Sequence, residues 1–397
     1  MKKYYLTTPL YYVNDVPHIG HAYTTIAADI LSRWKKLRGN SVFFLTGTDE
    51  HGAKISEAAA KNNEEPQVYV DRIAAEFQRL WTVLKIENND FIRTSEPRHK
   101  KVVQAIFEKL LKTGDIYKGV YEDWYCISDE SYFSESELVN KKCPSCGRDV
   151  QKLKEESYFF KLSRFEKPLL EYYSAHPEFL SPKSRASEIT NFVSSGLNDL
   201  SVSRTRVKWG VPVVSNPEHT VYVWFDALIN YISALGYDPL DATSLSKTNC
   251  WPCDVHLVGK EIFRFHTVIW PAMLMALDIP LPRTVFAHGW WTVEGTKMSK
   301  SLGNVVDPHQ MVAEYGVDAF RYFLFREVPF GSDGDFSEKA LLNRYNAELA
   351  NNLGNLLQRT LTILIKQFDG VIPPGQPSST VVEDVSTWIQ DLDRHYA

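Results

Sequence analysis

The sequence is short of what would carry a chain into or across a membrane. No apolar run is long enough to span a bilayer, and neither an N-terminal apolar segment nor an Arg-rich presequence is present. Cysteine is scarce: there are five in 397 residues, and four of them form two Cys-x-x-Cys pairs. That pattern excludes a secreted disulfide framework and points to metal or thiol chemistry in a cytoplasmic setting. Surplus charge is small as well. A net charge of −5 argues against indiscriminate nucleic-acid binding but leaves room for a local basic surface. Aromatic residues are plentiful at 13%, enough to line a pocket as well as a core. The length allows two or three domains.

The most informative stretch runs from Thr7 to His21. Before it, Lys3 to Thr7 is a β-rich run bounded by Pro9; after it, Ala22 to Leu37 has helical spacing. A strand, a loop and a helix are therefore predicted, with Pro17 suited to the first helical position. His18 and His21, three apart, lie over one side of that first turn, and Gly20 lets a ligand approach the backbone. Helix N-termini favour anions, and two histidines add donors there. Alone, His-x-x-His reads better as a helix start with two surface histidines.

Ser41 to Leu45 is a second buried strand, followed by Thr46-Gly47-Thr48-Asp49-Glu50-His51-Gly52. Strand, helix, strand indicates a parallel sheet, whose ligands gather beyond the carboxyl ends of the strands. Asp49 belongs there, although it also suits the cap of a helix through Lys54 to Lys61. Residues 66 to 113 read as two helices around an extended piece, Asn89 to Arg93. From Ile116 to about Tyr222 short β-like runs and cysteines replace this texture, as in an inserted domain. Cys143-Pro144-Ser145-Cys146-Gly147 is a knuckle that turns two thiolates towards one ion, and Cys126, with Asp129 three residues on, could complete a tetrahedral set. The alternative is a decayed site with three free thiols. Cys250 and Cys253 have redox-motif spacing but read as packing residues, with thiol chemistry left open. Downstream, Val221 to Tyr231 returns to the sheet. Ile262, His266 and Trp270 then follow at intervals of four on one helical face, an arrangement that by itself is ordinarily core.

A second motif answers the first. Lys297-Met298-Ser299-Lys300-Ser301 lies between Gly295 and Gly303, a small loop with two lysines. With Pro17-His18-Ile19-Gly20-His21 it resembles the paired signatures of class I aminoacyl-tRNA synthetases. Wider stretches, from Lys3 to Arg359, are similar to the methionyl-tRNA synthetases within that class. The resemblance implies an α/β fold. A Rossmann-like parallel sheet is split by a zinc-knuckle insertion, then followed by a stem region and the start of a helical anticodon-binding bundle. The implied divisions are 1–115 and 222–296 for the catalytic halves, 116–221 for the insertion, 297–345 for the lysine loop and stem, and 346–397 for the bundle.

The same resemblance implies that the chain activates L-methionine with ATP and Mg²⁺ and passes it to tRNA(Met). Catalysis falls to His18, His21, Lys297 and Lys300. Pro17, Gly20, Gly259, Lys260, Met298, Ser299 and Ser301 join them around the nucleotide. Leu10, Tyr12, Asp49, Trp224, Ala227, Tyr231, Ile262, His266 and Trp270 form the methionine pocket, with Asp49 on the ammonium group and Tyr12 and His266 near the sulfur. A thioether suits such an aromatic lining, since sulfur–aromatic contacts are worth ~0.3–1.5 kcal/mol each. Zn²⁺ on Cys126, Asp129, Cys143 and Cys146 would be structural.

Asn351, Asn355 and Arg359 match anticodon-reading positions, although without the resemblance they are simply a polar helix face. Val385, Trp388, Ile389 and Leu392 form an apolar stripe with no later helix to cover it, so a C-terminally truncated form is expected, with amino-acid activation retained and tRNA charging weakened. Rival readings are another class I synthetase, a catalytically idle RNA-binding relative, and a small-metabolite adenylyltransferase.

Overall fold

The structure, a computed structural model, describes residues 2–128, 131–133, 135–241, 243–297 and 305–395. Its centre is a six-stranded sheet in which every pairing is parallel. In chain order the strands are β1 (Lys3–Tyr12), β2 (Ser41–Asp49), β3 (Asp90–Arg93), β4 (Leu180–Ser181), β5 (Val255–Gly259) and β6 (Thr284–His288). Across the sheet the order is β3-β2-β1-β5-β6-β4. β1 lies in the middle, buried from Tyr4 to Pro9, as expected of a strand covered on both faces. The order reverses at β1, between β2 and β5, and this switch point opens a crevice beyond the carboxyl ends of the strands.

Two apolar layers cover the sheet. One packs the helix Pro97–Thr113 and the 223–277 region around Tyr5, Phe107, Phe225, Tyr231 and Trp270. The other packs helix α1 (Ile19–Leu37) and the helices Pro66–Val83 and Val317–Arg326 around Tyr23, Phe77 and Phe323. Buried Asp29 joins elements of the second layer, accepting from Arg33 and Arg321 on different helices and from the amide of Glu87.

The expected insertion forms a four-stranded antiparallel sheet, Ser131–Phe133, Ile116–Cys126, Gln151–Phe160 and Leu200–Ser201 in order. It is not wholly separate from the centre, because β4 lies within the same stretch and pairs with β6 at Val285↔Leu180. Beyond Phe336 the described chain is mostly helical, with a break at 369–378. Glu338–Arg344 is α, Tyr345–Gly354 is π-wound, and Asn355–Phe368 and Ser379–His395 are α. Leu356, Leu357, Ile365 and Trp388 are exposed on these last two helices, and Asp393 pairs with Arg38 at the end of α1.

Candidate active site

The loop from β1 into α1 places the first motif. The helix begins at Ile19 with His18 as its N-cap, so Pro17 lies before the helix rather than at its first position. His18 and His21 make a reciprocal cap. The Gly20 amide donates to His18 Nδ1 at 3.1 Å, and the His18 amide donates to His21 Nδ1 at 3.1 Å. Amides only donate, so both Nδ1 atoms must hold lone pairs and both rings keep their proton on Nε2. The rings stack with centroids 3.9 Å apart. Burial, and then the proximity of His18, holds the pKa of His21 well below 6.5.

Two expectations change here. The first-turn amides are already paired, Ile19 with Val306 O, Gly20 with the His18 ring and His21 with His18 O, so the imidazole Nε2–H groups rather than the backbone are the donors on offer. Gly20 makes room for the His18 ring as much as for a ligand, since a Cβ there would lie 2.9 Å from His18 Cε1.

A cavity of about 650 Å³ opens above the carboxyl ends of the strands. His18, Gly20, His21 and Gly259 line it together with Leu10, Tyr12, Asp49, Trp224, Ala227, Tyr231, Ile262 and His266. Positions expected to meet a nucleotide and positions expected to meet an amino acid thus share one space. Asp49 ends β2, and its backbone carbonyl accepts from the Val13 amide. It does not cap the next helix, which starts at Ala53 behind Gly52. Trp224 is half-buried and stacks on Phe265, with centroids 3.8 Å apart.

The expected helix after β5 is broken. Lys260–Ile262 is 3₁₀, Phe265–Ile269 is π-wound, and α-helix resumes at Trp270. The three residues four apart therefore do not share one face. Ile262 and His266 reach the cavity, while Trp270 is fully buried behind Tyr231 and donates to His256 Nε2 at 3.3 Å. His266 is also more occupied than expected. Its Nδ1–H donates to Ile262 O at 2.9 Å, so its Nε2 accepts from the Tyr231 hydroxyl at 2.7 Å. Burial lowers its pKa to about 4, and as a neutral acceptor it orients Tyr231 rather than offering an N–H to a ligand.

Lys260 does not line the cavity. Its ammonium pairs with Asp333 at 2.6 Å and lies 4.2 Å from the Trp290 ring centroid. The bare Cα of Gly259 leaves space for the Glu261 carboxylate, which a Cβ would meet at 2.5 Å. Glu261 lines the cavity and accepts from Trp290 Nε1 at 2.5 Å. The lysine motif begins on a hairpin in which Trp291–Val293 pairs with Thr296–Lys297 through Glu294 and Gly295, both at positive φ. Asp335 holds this hairpin by accepting from Thr292 Oγ1 and the Gly295 amide. Met298, Ser299, Lys300, Ser301 and Gly303 lie outside the described residues.

Several lining residues carried no motif. Glu261 and Trp290 have no sequence signal, whereas Thr24 and His288 fall at a helix start and a strand end. Thr24 lies one turn after Gly20, and its hydroxyl is 2.7 Å from His288 Nε2. The cysteine knuckle forms apart from this cavity. The Gly147 amide donates to Cys143 O at 2.9 Å, and the Sγ atoms of Cys126, Cys143 and Cys146 lie within 4.8 Å of one another, 126 to 146 at 3.5 Å. Three converging thiols, two of them buried, fit a soft ion such as Zn²⁺. Asp129 lies outside the described residues. Cys250 and Cys253 lack the depressed pKa of a reactive pair; burial pushes both thiols up, and Cys253 donates to Tyr5 O. Asn351 lies in the π-wound segment, so only Asn355 and Arg359 are stacked one α-turn apart.

The family described as tRNA synthetases class I (M) matches residues 4–153 and 149–361. The methionine–tRNA ligase of Caldanaerobacter subterraneus is 55% identical over 391 residues, 98% of this chain and 61% of that protein. The chain thus spans about three-fifths of that relative's length. The Mycobacterium tuberculosis methionyl-tRNA synthetase in complex with methionyl-adenylate superposes with a TM-score of 0.94 at 44% identity, covering 100% of this chain and 79% of that one. Its apo form gives a TM-score of 0.85 at 40% identity, covering 100% and 77%.

Proposed function

This chain belongs to the class I tRNA synthetases of the methionine group, and from that premise we propose that it activates L-methionine with ATP and passes the methionyl group to tRNA(Met). One observation supports the reading: His18 and His21 line the same cavity as Asp49, Trp224 and Tyr231, so a carboxylate and an α-phosphate bound there would come within reach of each other.

In the first step the methionine carboxylate attacks the α-phosphorus of ATP, and the bond to the bridging oxygen breaks to release pyrophosphate. The nucleophile belongs to the substrate, so the chain supplies position and charge stabilisation. Asp49 holds the ammonium group. Leu10, Tyr12, Trp224, Ala227, Tyr231 and Ile262 enclose the thioether, with His266 and Trp270 bracing Tyr231 from behind. The Nε2–H groups of His18 and His21 donate to phosphate oxygens as charge develops. Pro17 leads into that turn, Gly20 leaves room there for the His18 ring, and Gly259 leaves room for the Glu261 carboxylate on the nucleotide side. Lys297 and Lys300, with Met298, Ser299 and Ser301 in the same motif, neutralise the leaving pyrophosphate, a charge that Mg²⁺ would share. Lys260 steadies the start of the hairpin that leads into this motif through Asp333 and Trp290 instead of touching the nucleotide.

In the second step the terminal ribose 2′-hydroxyl of the tRNA takes the methionyl group and AMP leaves. Asn351, Asn355 and Arg359 offer amide and guanidinium groups to unstacked anticodon bases. Zn²⁺, held by Cys126, Cys143 and Cys146 with Asp129 as fourth ligand, would stiffen the knuckle without joining the chemistry. A cytoplasmic setting suits cysteines of which none is joined in a disulfide among the described residues. No helix among the described residues is long and apolar enough to cross a membrane.

Amino-acid-dependent ATP–pyrophosphate exchange tests the proposal. Exchange with methionine alone is expected; exchange with a different amino acid, or with none, refutes it.

A further inference from the structure

Behind the amino-acid pocket lies a buried polar chain that the chemistry above does not use. Asp226 is fully buried, and its carboxylate accepts from two histidines that are themselves buried. His51 Nδ1–H donates to Oδ2 at 2.6 Å, and His99 Nε2–H donates to Oδ1 at 2.8 Å. His99 Nδ1 in turn lies 2.8 Å from Ser233 Oγ. None of the four lines the cavity. Burying a carboxylate carries a desolvation cost that only well-placed partners offset, so apolar residues would fill this space at less expense. What a carboxylate adds is direction, since it fixes where its donors stand.

Each member sits next to a piece of the pocket wall. His51 follows Asp49 by two residues at the end of β2. Asp226 lies between Trp224 and Ala227 on the short helix Val223–Leu228, and Ser233 follows Tyr231 by two. His99 comes from the helix Pro97–Thr113, which supplies no cavity residue and serves as the anchor for both ends. His51 Nε2 has no partner among the described residues, so the polar role of that ring is its bond to Asp226. The residue between Asp49 and His51 is clamped separately, with the Glu50 carboxylate on Arg93 and Ser95.

We propose that Asp226, bridged to His51 and His99, is a positioning residue that sets the span between the ammonium end and the side-chain end of the amino-acid pocket. This rests on the methionine-activation reading above. The carboxylate ties the strand end carrying Asp49 to the helix carrying Trp224 and Ala227. Loosening it lets the two ends slip relative to one another, so a substrate held at both loses affinity and alignment. The nucleotide side, built on α1 and β5, is untouched.

Side-chain amides separate the two ring nitrogens. Asparagine places a donor near Nδ1 of the histidine it replaces, and glutamine places one near Nε2. In methionine-dependent exchange, D226N and H99A are expected to raise KM for methionine about tenfold to a hundredfold, with KM for ATP shifted less than about twofold. H99Q should recover most of what H99A loses and H99N should not; H51N should recover what H51A loses and H51Q should not. A ligand held at one end gives a readout that a general loss of stability would not move. Inhibition by 4-(methylthio)butanoate, which has the thioether and carboxylate but no ammonium group, should change less than about twofold in D226N.

Normal methionine KM in folded D226N overturns the proposal. So does a parallel rise in both substrates' KM, or a lower melting temperature with unchanged kinetics. If D226N does not fold, the H99Q and H99N pair decides. Failure of the activation reading is distinct, because wild-type protein would then show no methionine-dependent exchange.

Discussion

Replacing His21 with asparagine separates two jobs that the ring performs at once. The amide oxygen of asparagine stands near Nδ1 and can still accept from the His18 amide, so the helix cap is retained. Nothing then stands where Nε2–H does. If that N–H stabilises the α-phosphate as charge builds, its loss is comparable to removing one oxyanion donor, ~2.7–4 kcal/mol or about a hundredfold to a thousandfold in kcat. KM for methionine should move less than about twofold, because the ring contacts Tyr11, Phe77 and His18 rather than the side-chain pocket. His21→Ala removes the cap as well. It should lose a similar factor in rate plus roughly 1 kcal/mol of stability for the cap alone, with lost ring packing adding to it. Steady-state ATP–pyrophosphate exchange and thermal unfolding on the same preparations separate these outcomes. An H21N protein that exchanges within about threefold of wild type would refute the Nε2 donor role, whatever happened to its melting temperature.

Acid should destabilise the fold: burial holds His21, His256, His266 and His288 below their ordinary 6.5, with His266 at about 4. Because these folded values lie under the unfolded ones, stability present above pH 6.5 is lost as pH falls, on the order of 3 kcal/mol by about pH 4 for His266 alone; a flat pH profile in urea unfolding would contradict this. Cys143→Ser should release close to one zinc per chain and loosen the knuckle while methionine-dependent exchange survives; wild-type protein purified without metal yet fully active would favour the decayed-site reading. Gly47→Ala should destabilise by roughly 1–3 kcal/mol or more, because its Cβ would fall 1.9 Å from the Ile92 carbonyl oxygen across β2 and β3; unchanged urea unfolding would show that the strands part freely.

The local parts of this protein were legible in its sequence. Apolar runs and helical spacing placed β1, α1 and β2, and the parallel sheet followed from their alternation. His18 and His21 belong to one turn because they are three residues apart, and Cys143 with Cys146 forms a knuckle because Pro144 and Gly147 turn the chain. These are short-range consequences of backbone geometry. Some local details still departed from the pattern, since periodicity reports an average helix. The stretch around His266 and the one around Asn351 are π-wound, which moves Trp270 behind the pocket and turns Asn351 out of the row of Asn355 and Arg359.

The rest came from long-range packing, above all where protons and partners lie. The Nε2 of His266 is taken up by the hydroxyl of Tyr231, 35 residues away, and His99 meets Asp226 and Ser233, 127 and 134 residues away. The short strand Leu180–Ser181 joined the central sheet because β6 left an edge for it to pair with. A hydrogen-bonding side chain advertises what it can donate or accept, but its partner is chosen by packing, and packing is a property of the whole chain.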